Sequence, residues 1–159
     1  DSIPRIIQHV ARQYTLHFNR SYRRSGTLWE GRYKASLVNT EDYLLCCYKY
    51  IELNPVSAGM VTTPGEYQWS SYRSNALSAF DKLISAHPIY LDLGNSEQKR
   101  KECYQNLFTL DIRESDKALI RRALNKNYPT GDDRFKQKVE AILNRNIGTG
   151  NIGRPTQKY

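Results

Sequence analysis

The run YKYIELNP at positions 48–55 most constrains what this chain can fold into, because it combines helical spacing with a helix breaker. The apolar stripe that predicts this helix comprises Leu44, Leu45, Tyr48 and Ile51. Thr40 is a suitable N-cap, and Pro55 disfavours helical geometry at Asn54, so we predict a helix that ends at Asn54. Tyr50 and Asn54 lie four residues apart and therefore share one helical face beside the apolar stripe.

A phenol and a carboxamide on one helical face suggest chemistry on a phosphodiester. Tyrosine can act as a nucleophile, and a carboxamide oxygen is a ligand that hard metal ions accept. Tyr50 is therefore a candidate catalytic nucleophile, and Asn54 is a candidate metal ligand. The same spacing also fits two ordinary residues near a helix end. Tyr48 is a rival nucleophile by position, but it falls on the apolar stripe and lacks an Asn or Gln four residues later.

The charge of the chain favours an anionic partner, most simply nucleic acid, although a basic pI also serves solubility. Its 159 residues carry a net charge of +8, with a pI near 9.4. Between residues 5 and 34, seven basic side chains accompany the single acid Glu30, which gives a local net charge of +6. The residues that we expect to bind phosphates there are Arg20, Arg23, Arg24, Arg32 and Lys34.

Aromatic residues alternate with these basic residues, and they allow two interpretations. They are Tyr14, Phe18, Tyr22, Trp29 and Tyr33. Their rings are suited to stacking on unpaired bases. They are equally suited to forming an aromatic core beneath a solvated basic surface, and for most of them we favour the core.

The cysteines, histidines and hydropathy exclude several classes of protein. Three cysteines, two of them adjacent at Cys46 and Cys47, fit neither a disulfide framework nor a zinc site, so we expect reduced thiols in a cytoplasmic protein. His9 and His17 are eight residues apart, too far for one metal ion, and we expect them at the surface. No apolar run approaches the length of a membrane span.

The remaining pattern predicts an α+β fold. A helix begins near Ser2 and runs to about residue 20, and residues 27–38 alternate as a strand with Arg32 and Lys34 on one face. Tyr67–Tyr72 is expected to be a packing plug. Short amphipathic helices are predicted over Ser96–Phe108, Ser115–Leu124 and Asp132–Leu143. The glycine-rich end, which includes Arg154 in a Gly-Arg-Pro sequence, is predicted to be a disordered tail.

Four segments together resemble a known family. They are Phe18–Arg20, Ser25–Lys34 (SGTLWEGRYK), Tyr48–Met60 (YKYIELNPVSAGM) and Trp69–Tyr72 (WSSY). Their order and spacing resemble those of the REP-associated tyrosine transposases, single-tyrosine members of the HUH endonuclease superfamily that are related to insertion sequence 200 transposases. The similarity covers about residues 3 to 75 densely, and the Gly-Arg-Pro ending resembles the family more loosely.

This resemblance implies an activity, a cofactor and a partner. Tyr50 matches the nucleophile that attacks single-stranded or hairpin DNA, leaving a 5′-phosphotyrosine and a free 3′-hydroxyl. Asn54 matches the helix-borne ligand of a Mg²⁺ or Mn²⁺ ion. The resemblance further implies repeated palindromic elements as targets and a cytoplasmic, nucleoid-associated location in a bacterium. Arg154 joins the five basic residues near the start of the chain as a candidate DNA contact.

The chain departs from the family's pattern in lacking its His-hydrophobic-His motif. Because the chain begins at Asp1, we expect the preceding strands to be missing, the metal site to be incomplete and cleavage by this chain alone to be weak or absent. The expected organisation is the C-terminal half of a nuclease domain with a remnant of its antiparallel sheet (1–80), a helical extension (81–146) and a basic tail (147–159). A non-catalytic nucleic-acid-binding module is the alternative, and a basic protein-interaction domain is a third. The sequence does not indicate an oligomeric state.

Overall fold

The computed structural model describes residues 2–39 and 43–147. Within these ranges it contains α-helices α1 (Ser2–Ser21), α2 (Leu44–Ser57), α3 (Tyr72–Leu77), α4 (Pro88–Leu91), α5 (Glu97–Asn106), α6 (Glu114–Lys126) and α7 (Asp133–Leu143), and a 3₁₀ turn at Pro64–Glu66. The chain divides into two compact units, Asp1–Ala35 and Ser36–Tyr159.

The prediction of an α+β fold with a remnant of an antiparallel sheet was wrong. The described residues are helical, and their β-pairing is a single parallel bridge between Val38 and Thr130. Residues 27–37 form bends and irregular backbone instead of a strand. A strand needs a neighbour that satisfies its backbone groups. Here the Thr27 hydroxyl accepts from the Trp29 backbone N–H at 3.1 Å, a local bond that competes with strand pairing.

In the first unit, the segment that follows α1 folds back onto that helix. The Asn19 side chain donates to the Gly26 carbonyl oxygen at 2.9 Å, and Gly26 has a positive φ of 95°, which glycine adopts without strain. The Trp29 indole nitrogen donates to the Ala11 carbonyl oxygen at 3.4 Å, and the Trp29 ring lies 6.1 Å from the ring of Tyr14. These contacts place an aromatic side chain from the loop beside the aromatic residues of α1.

Aromatic rings from three short helices form the core of the second unit. Tyr104 of α5 is fully buried, and its ring meets that of Tyr90 of α4 edge to face at 5.5 Å. Phe108 meets Tyr72 of α3 in the same manner at 4.8 Å. Such edge-to-face pairs contribute about 0.5–1.5 kcal/mol beyond area burial. Leu45 and Tyr48 pack against this cluster, so α2 is attached to it along one side.

The prediction that Tyr67–Tyr72 forms a packing plug is confirmed for one end of the segment only. Tyr72 packs in the core, and Ser71 is hydrogen-bonded to a buried side chain of α2. Trp69, in contrast, is 77% exposed. The segment therefore anchors α3 through its last two residues.

The prediction that Pro55 ends helix α2 was also wrong, because the helix continues to Ser57 with Pro55 buried inside its last turn. The Met60 N–H donates to the Pro55 carbonyl oxygen, and the Gly59 N–H donates to the Val56 carbonyl oxygen, both at 2.9 Å. Gly59 has a φ of 67°. This pair of bonds is the Schellman motif, which terminates helices at a left-handed glycine. Asn54 therefore lies within the helix.

The helices predicted in the C-terminal half are confirmed to within two residues at each end. Side chains cap two of them: Ser96 accepts from the Lys99 N–H at 3.2 Å, and Asp132 accepts from the Phe135 N–H at 2.7 Å. The loop between α6 and α7 also carries Thr130, whose N–H donates to the Leu37 carbonyl oxygen at 2.7 Å. That bond attaches the segment before α2 to the C-terminal helices.

Candidate functional site

The two residues that the sequence singled out lie on one continuous helix. Tyr50 and Asn54 are both in α2, one turn apart, where Tyr50 is half-buried and Asn54 is exposed. Among the described residues, none is hydrogen-bonded to the Tyr50 hydroxyl or to the Asn54 carboxamide. We call Tyr50, Ile51 and Asn54 the open face of α2. Ile51 is 57% exposed, so its expected place in the apolar stripe was wrong.

Four other tyrosines of the second unit occupy the core instead. They are Tyr48, Tyr72, Tyr90 and Tyr104. Burial raises the pKa of each phenol above its ordinary value. Tyr48, the rival nucleophile, therefore has a phenol that is harder to ionise than an exposed one. Of the two tyrosines in the motif, Tyr48 packs against the core cluster and Tyr50 does not belong to it.

The opposite side of α2 carries a buried carboxylate that the sequence analysis missed. Glu52 has no exposed surface, and we call Glu52 and Pro55, which lie three residues apart, the closed face of α2. The Ser71 hydroxyl donates to Glu52 Oε1 at 2.6 Å, and the Tyr104 hydroxyl donates to Glu52 Oε2 at 2.8 Å. The carboxylate thus joins α2 to α5 and to the residue preceding α3.

Asn75 of α3 extends this network. Its side-chain nitrogen donates to the Tyr104 hydroxyl at 3.4 Å, and through Tyr104 it is linked to the Glu52 carboxylate. The Asn75 backbone carbonyl accepts from the Tyr90 hydroxyl at 2.8 Å. Glu52, Ser71, Asn75, Tyr90 and Tyr104, which we call the Glu52 network, therefore connect four segments of the second unit. A signal existed in the sequence, since an acid between the apolar Ile51 and Leu53 needs buried partners if the helix packs on that side.

Burial dominates the ionisation of this network. It raises the pKa of Glu52 above its ordinary value, although the hydrogen bonds from Ser71, Tyr104 and Asn75 partly oppose that effect. Burial, together with the adjacent carboxylate, raises the pKa of Tyr104. Tyr104 therefore remains a protonated donor to Glu52.

The residues that the structure describes do not form the metal site implied by the resemblance. No group of three or more His, Cys, Asp or Glu side chains converges in ranges 2–39 and 43–147. Asn54 supplies one neutral oxygen, whereas Mg²⁺ is usually held by carboxylates and substrate oxygens. His9 and His17 lie on α1 of the first unit and are exposed, as the sequence predicted. We therefore derive no reaction step through a metal ion.

The basic residues predicted to bind nucleic acid lie at the surface of the first unit. Arg20, Arg23, Arg24, Arg32 and Lys34 are all exposed. The Arg24 guanidinium lies 5.7 Å from the centre of the Phe18 ring, within cation–π range. Arg154 falls outside the described residues.

The aromatic residues of the first unit do not form the core that we favoured for them. Tyr14, Tyr22, Trp29 and Tyr33 keep between 44% and 68% of their surface exposed. A groove of about 650 Å³ runs along the apolar side of α1, and its far wall includes Trp29, Arg32 and Tyr33. Ring faces and a guanidinium therefore border one concave surface, an arrangement that suits unpaired bases and phosphates.

The three thiols are free, as the sequence predicted. Burial, with a smaller contribution from the neighbouring thiol, raises the pKa of Cys47 to about 11. The thiolate is the reactive form of cysteine, so Cys47, which is buried, is a packing residue of α2.

No known protein family, curated protein or solved structure matches this chain. Among the described residues, no helix has the length and apolar character needed to cross a membrane. The residues that the structure describes form an all-helical fold, and one of its helices presents a tyrosine and a carboxamide on its open face.

Proposed function

We propose that this chain takes part in single-strand DNA cleavage and joining, with Tyr50 as the nucleophile. The observation that carries the proposal is the contrast between Tyr50 and the tyrosines around it. Tyr50 is partly exposed and its hydroxyl is not hydrogen-bonded within the described residues, whereas the hydroxyls of Tyr90 and Tyr104 donate to buried acceptors. A nucleophile must reach its substrate before its pKa matters.

The proposed reaction conserves atoms and phosphodiester energy. The Tyr50 oxygen bonds to phosphorus, the bond from phosphorus to the 3′-oxygen breaks, and the phenolic proton is transferred overall to that departing oxygen. The products are a 5′-phosphotyrosine and a free 3′-hydroxyl, so reversal with another 3′-hydroxyl joins two strands. In this proposal the Asn54 carboxamide, one turn away, holds a phosphate oxygen through its N–H groups. The bacterial nucleoid is the proposed location.

Support for a nucleic-acid partner comes separately from the first unit. Five exposed cations follow or end α1, and aromatic faces that keep about half their surface accessible lie among them. Cations neutralise phosphates and release counterions, which gives salt-dependent affinity. Aromatic faces stack on bases of any sequence, but only where a strand is unpaired. Single-stranded or hairpin DNA is therefore the proposed partner.

The test uses a DNA hairpin with a 3′-bridging phosphorothiolate, whose sulfur leaves readily without help from a metal ion. After incubation with the whole chain, mass spectrometry is expected to show one covalent adduct, mapped to Tyr50. Tyr50→Phe should abolish the adduct. Tyr67→Phe is the matched control, because it removes the same hydroxyl from another half-buried tyrosine outside α2.

Three results would contradict the proposed chemistry. They are no adduct on any residue, an adduct on Tyr48 instead of Tyr50, and an equal loss of adduct in Tyr67→Phe. Folding of each variant is checked by far-UV circular dichroism, so that a missing adduct is not confused with an unfolded chain.

The second candidate function is nucleic-acid binding without chemistry, and the exposed aromatic and basic surface of the first unit favours it. In this case labelled single-stranded DNA should bind equally well to Tyr50→Phe. Affinity should fall as salt rises, and Arg32→Ala should reduce the logarithmic salt slope by about 0.7 if it loses one contact to a single-strand phosphate. An unchanged slope would exclude Arg32 from the interface.

A further inference from the structure

A cavity of about 370 Å³ in the second unit lies beside the Glu52 network. It is lined by Tyr48 and Ile51 of α2, by Ser71 and Asn75, by Tyr90 of α4, and by the loop residues Leu83, Ile84, Ser85 and His87. Its volume falls near the lower end of the range of about 300–1,000 Å³ that small-molecule sites occupy. The cavity thus suits a ligand the size of one base or nucleoside.

The hydrogen-bonding character of the cavity floor is fixed by the network behind it. The Ser71 hydroxyl donates to Glu52, and the Tyr90 hydroxyl donates to the Asn75 backbone carbonyl. The Asn75 side-chain nitrogen donates to the Tyr104 hydroxyl. The Ser71 and Tyr90 hydroxyls have used their only donors on inward bonds, so each offers the cavity an acceptor lone pair, and the Asn75 amide oxygen is a third acceptor.

The floor is also rigid. Asn75 is only 6% exposed and Tyr90 only 8% exposed, and both are held by buried hydrogen bonds. A preformed row of acceptors favours a ligand edge that carries N–H donors. A ligand edge that presents carbonyl oxygens would place lone pairs against lone pairs.

The walls select against a charged ligand. Among the residues that line the cavity there is no Lys, Arg, Asp or Glu, so neither a phosphate nor an ammonium group finds a partner there. Tyr48 and Tyr90 contribute aromatic side chains from two helices. His87 accepts from the Ile89 N–H through Nδ1 at 3.2 Å, which leaves its Nε2 to carry the proton in the neutral ring. An uncharged, flat heteroaromatic ligand fits this combination.

We propose that this cavity binds one unpaired, amino-bearing nucleobase of the strand that Tyr50 attacks, with the exocyclic amino group directed at the acceptors of the floor. The inference rests on the proposed function, because Ile51, which lines the cavity, immediately follows Tyr50 in α2. Guanine, adenine and cytosine carry such an amino group, whereas thymine presents two carbonyl oxygens and one N–H. The site therefore distinguishes one base from another by the N–H donors that each base presents.

The test is a titration of the whole chain, labelled with nitrogen-15, with each of the four deoxynucleosides, followed by NMR. Deoxyguanosine, deoxyadenosine and deoxycytidine should shift the side-chain amide signals of Asn75. Thymidine should bind about tenfold more weakly, the ratio expected when one hydrogen bond is lost. Equal affinity for all four, or no shift with any of them, would overturn the proposal.

Ser85→Trp tests the location. Ser85 is exposed, so an indole at this position should fill the mouth of the cavity without disturbing the core, and nucleoside binding should be lost. Ser115→Trp is the matched control, since it adds the same indole at an exposed position on α6 that does not line the cavity. Binding that survives Ser85→Trp would place the ligand elsewhere and refute the assignment.

This titration requires no cleavage, so its failure is distinguishable from failure of the proposed function. If the adduct on Tyr50 forms but no nucleoside binds, only the base site is lost. If nucleosides bind in the predicted order but no adduct forms, the base site stands and the nucleophile is overturned.

Discussion

The two faces of helix α2 differ in whether their side chains form hydrogen bonds within the fold. On the closed face, Glu52 is completely buried and accepts hydrogen bonds from α5 and from the residue before α3. On the open face, Tyr50 and Asn54 have side chains that no described residue engages by a hydrogen bond. Successive residues of a helix point in different directions. One turn can therefore carry a side chain that is fixed by hydrogen bonds within the fold and another that is available to bind a partner.

The closed face gives the open face its orientation. A hydrogen-bonded buried carboxylate tolerates little displacement, since moving it would leave a desolvated charge and two donors without partners. Glu52 therefore sets the rotation of α2 about its own axis. The rotation in turn decides which tyrosine of the motif packs against the core cluster, and that tyrosine is Tyr48.

Removing the carboxylate should have the largest effect on folding. Glu52→Ala deletes the acceptor for Ser71 and Tyr104 and leaves a cavity, and each stranded donor costs about 1–3 kcal/mol. We expect the free energy of unfolding to fall by about 3–5 kcal/mol, measured by urea denaturation. Glu102→Ala is the control, because its carboxylate lies on the exposed side of α5. A loss as small as that of the control would show that the closed face is not the fixed one.

Removing one donor should have an intermediate effect. Tyr104→Phe keeps the ring, and with it the edge-to-face contact to Tyr90, but deletes the hydroxyl that donates to Glu52. The expected loss is about 1–3 kcal/mol in the same denaturation experiment. If Glu52→Ala and Tyr104→Phe are combined, the losses should not add, because both remove the same bond.

The pH dependence of stability should show whether the Glu52 side chain binds its proton more tightly in the folded chain than in the unfolded chain. Its pKa is raised in the folded chain from an ordinary value of 4.5, so the folded state holds this proton more tightly than the unfolded state. Its stabilising contribution is complete below that ordinary value and is lost as pH rises through the folded pKa. Glu52→Gln cannot ionise, so its stability relative to the natural chain should increase with pH above 4.5.

The exposed carboxylates act in the opposite direction, which makes the comparison with Glu52→Gln necessary. Hydrogen bonds from Thr62 lower the pKa of Glu66, and the hydrogen bond with Lys101 lowers that of Glu97. Both residues are present in the natural chain and in Glu52→Gln, so their effects cancel in the difference between the two. A difference that does not change with pH would mean that the folded chain leaves the pKa of Glu52 at its ordinary value.

Helical spacing proved a better guide to this fold than strand alternation. The helices α1, α5, α6 and α7 were predicted because a helix satisfies its own backbone and shows its apolar side as a period in sequence. The strand over residues 27–38 was predicted from alternation alone, but strand formation depends on a partner that alternation does not reveal. The hydroxyl bond of Thr27 and the positive φ of Gly26 instead accompany bends and irregular backbone in that segment.

The site was predictable in part, for a similar reason. Tyr50 and Asn54 were found because their spacing places them on one face, and α2 keeps that spacing. The end of α2 was predicted at the wrong residue because the prediction considered Pro55 and did not consider Gly59. Gly59 forms the turn that ends the helix. Glu52 was missed because its partners Ser71 and Tyr104 are 19 and 52 residues away, a separation that carries no periodic signal.

The smallest effect on stability, and the sharpest contrast, is expected on the open face. Tyr50→Phe removes a hydroxyl that no described residue bonds, so the free energy of unfolding should change by no more than about 0.5 kcal/mol. The same variant should lose the whole adduct with the phosphorothiolate hairpin. Tyr104→Phe removes the same group and should do the reverse, lowering stability while the surviving folded chain still forms some adduct. A Tyr50→Phe chain that unfolds as easily as Tyr104→Phe would mean that the hydroxyl is structural, and the two faces would then differ in exposure alone.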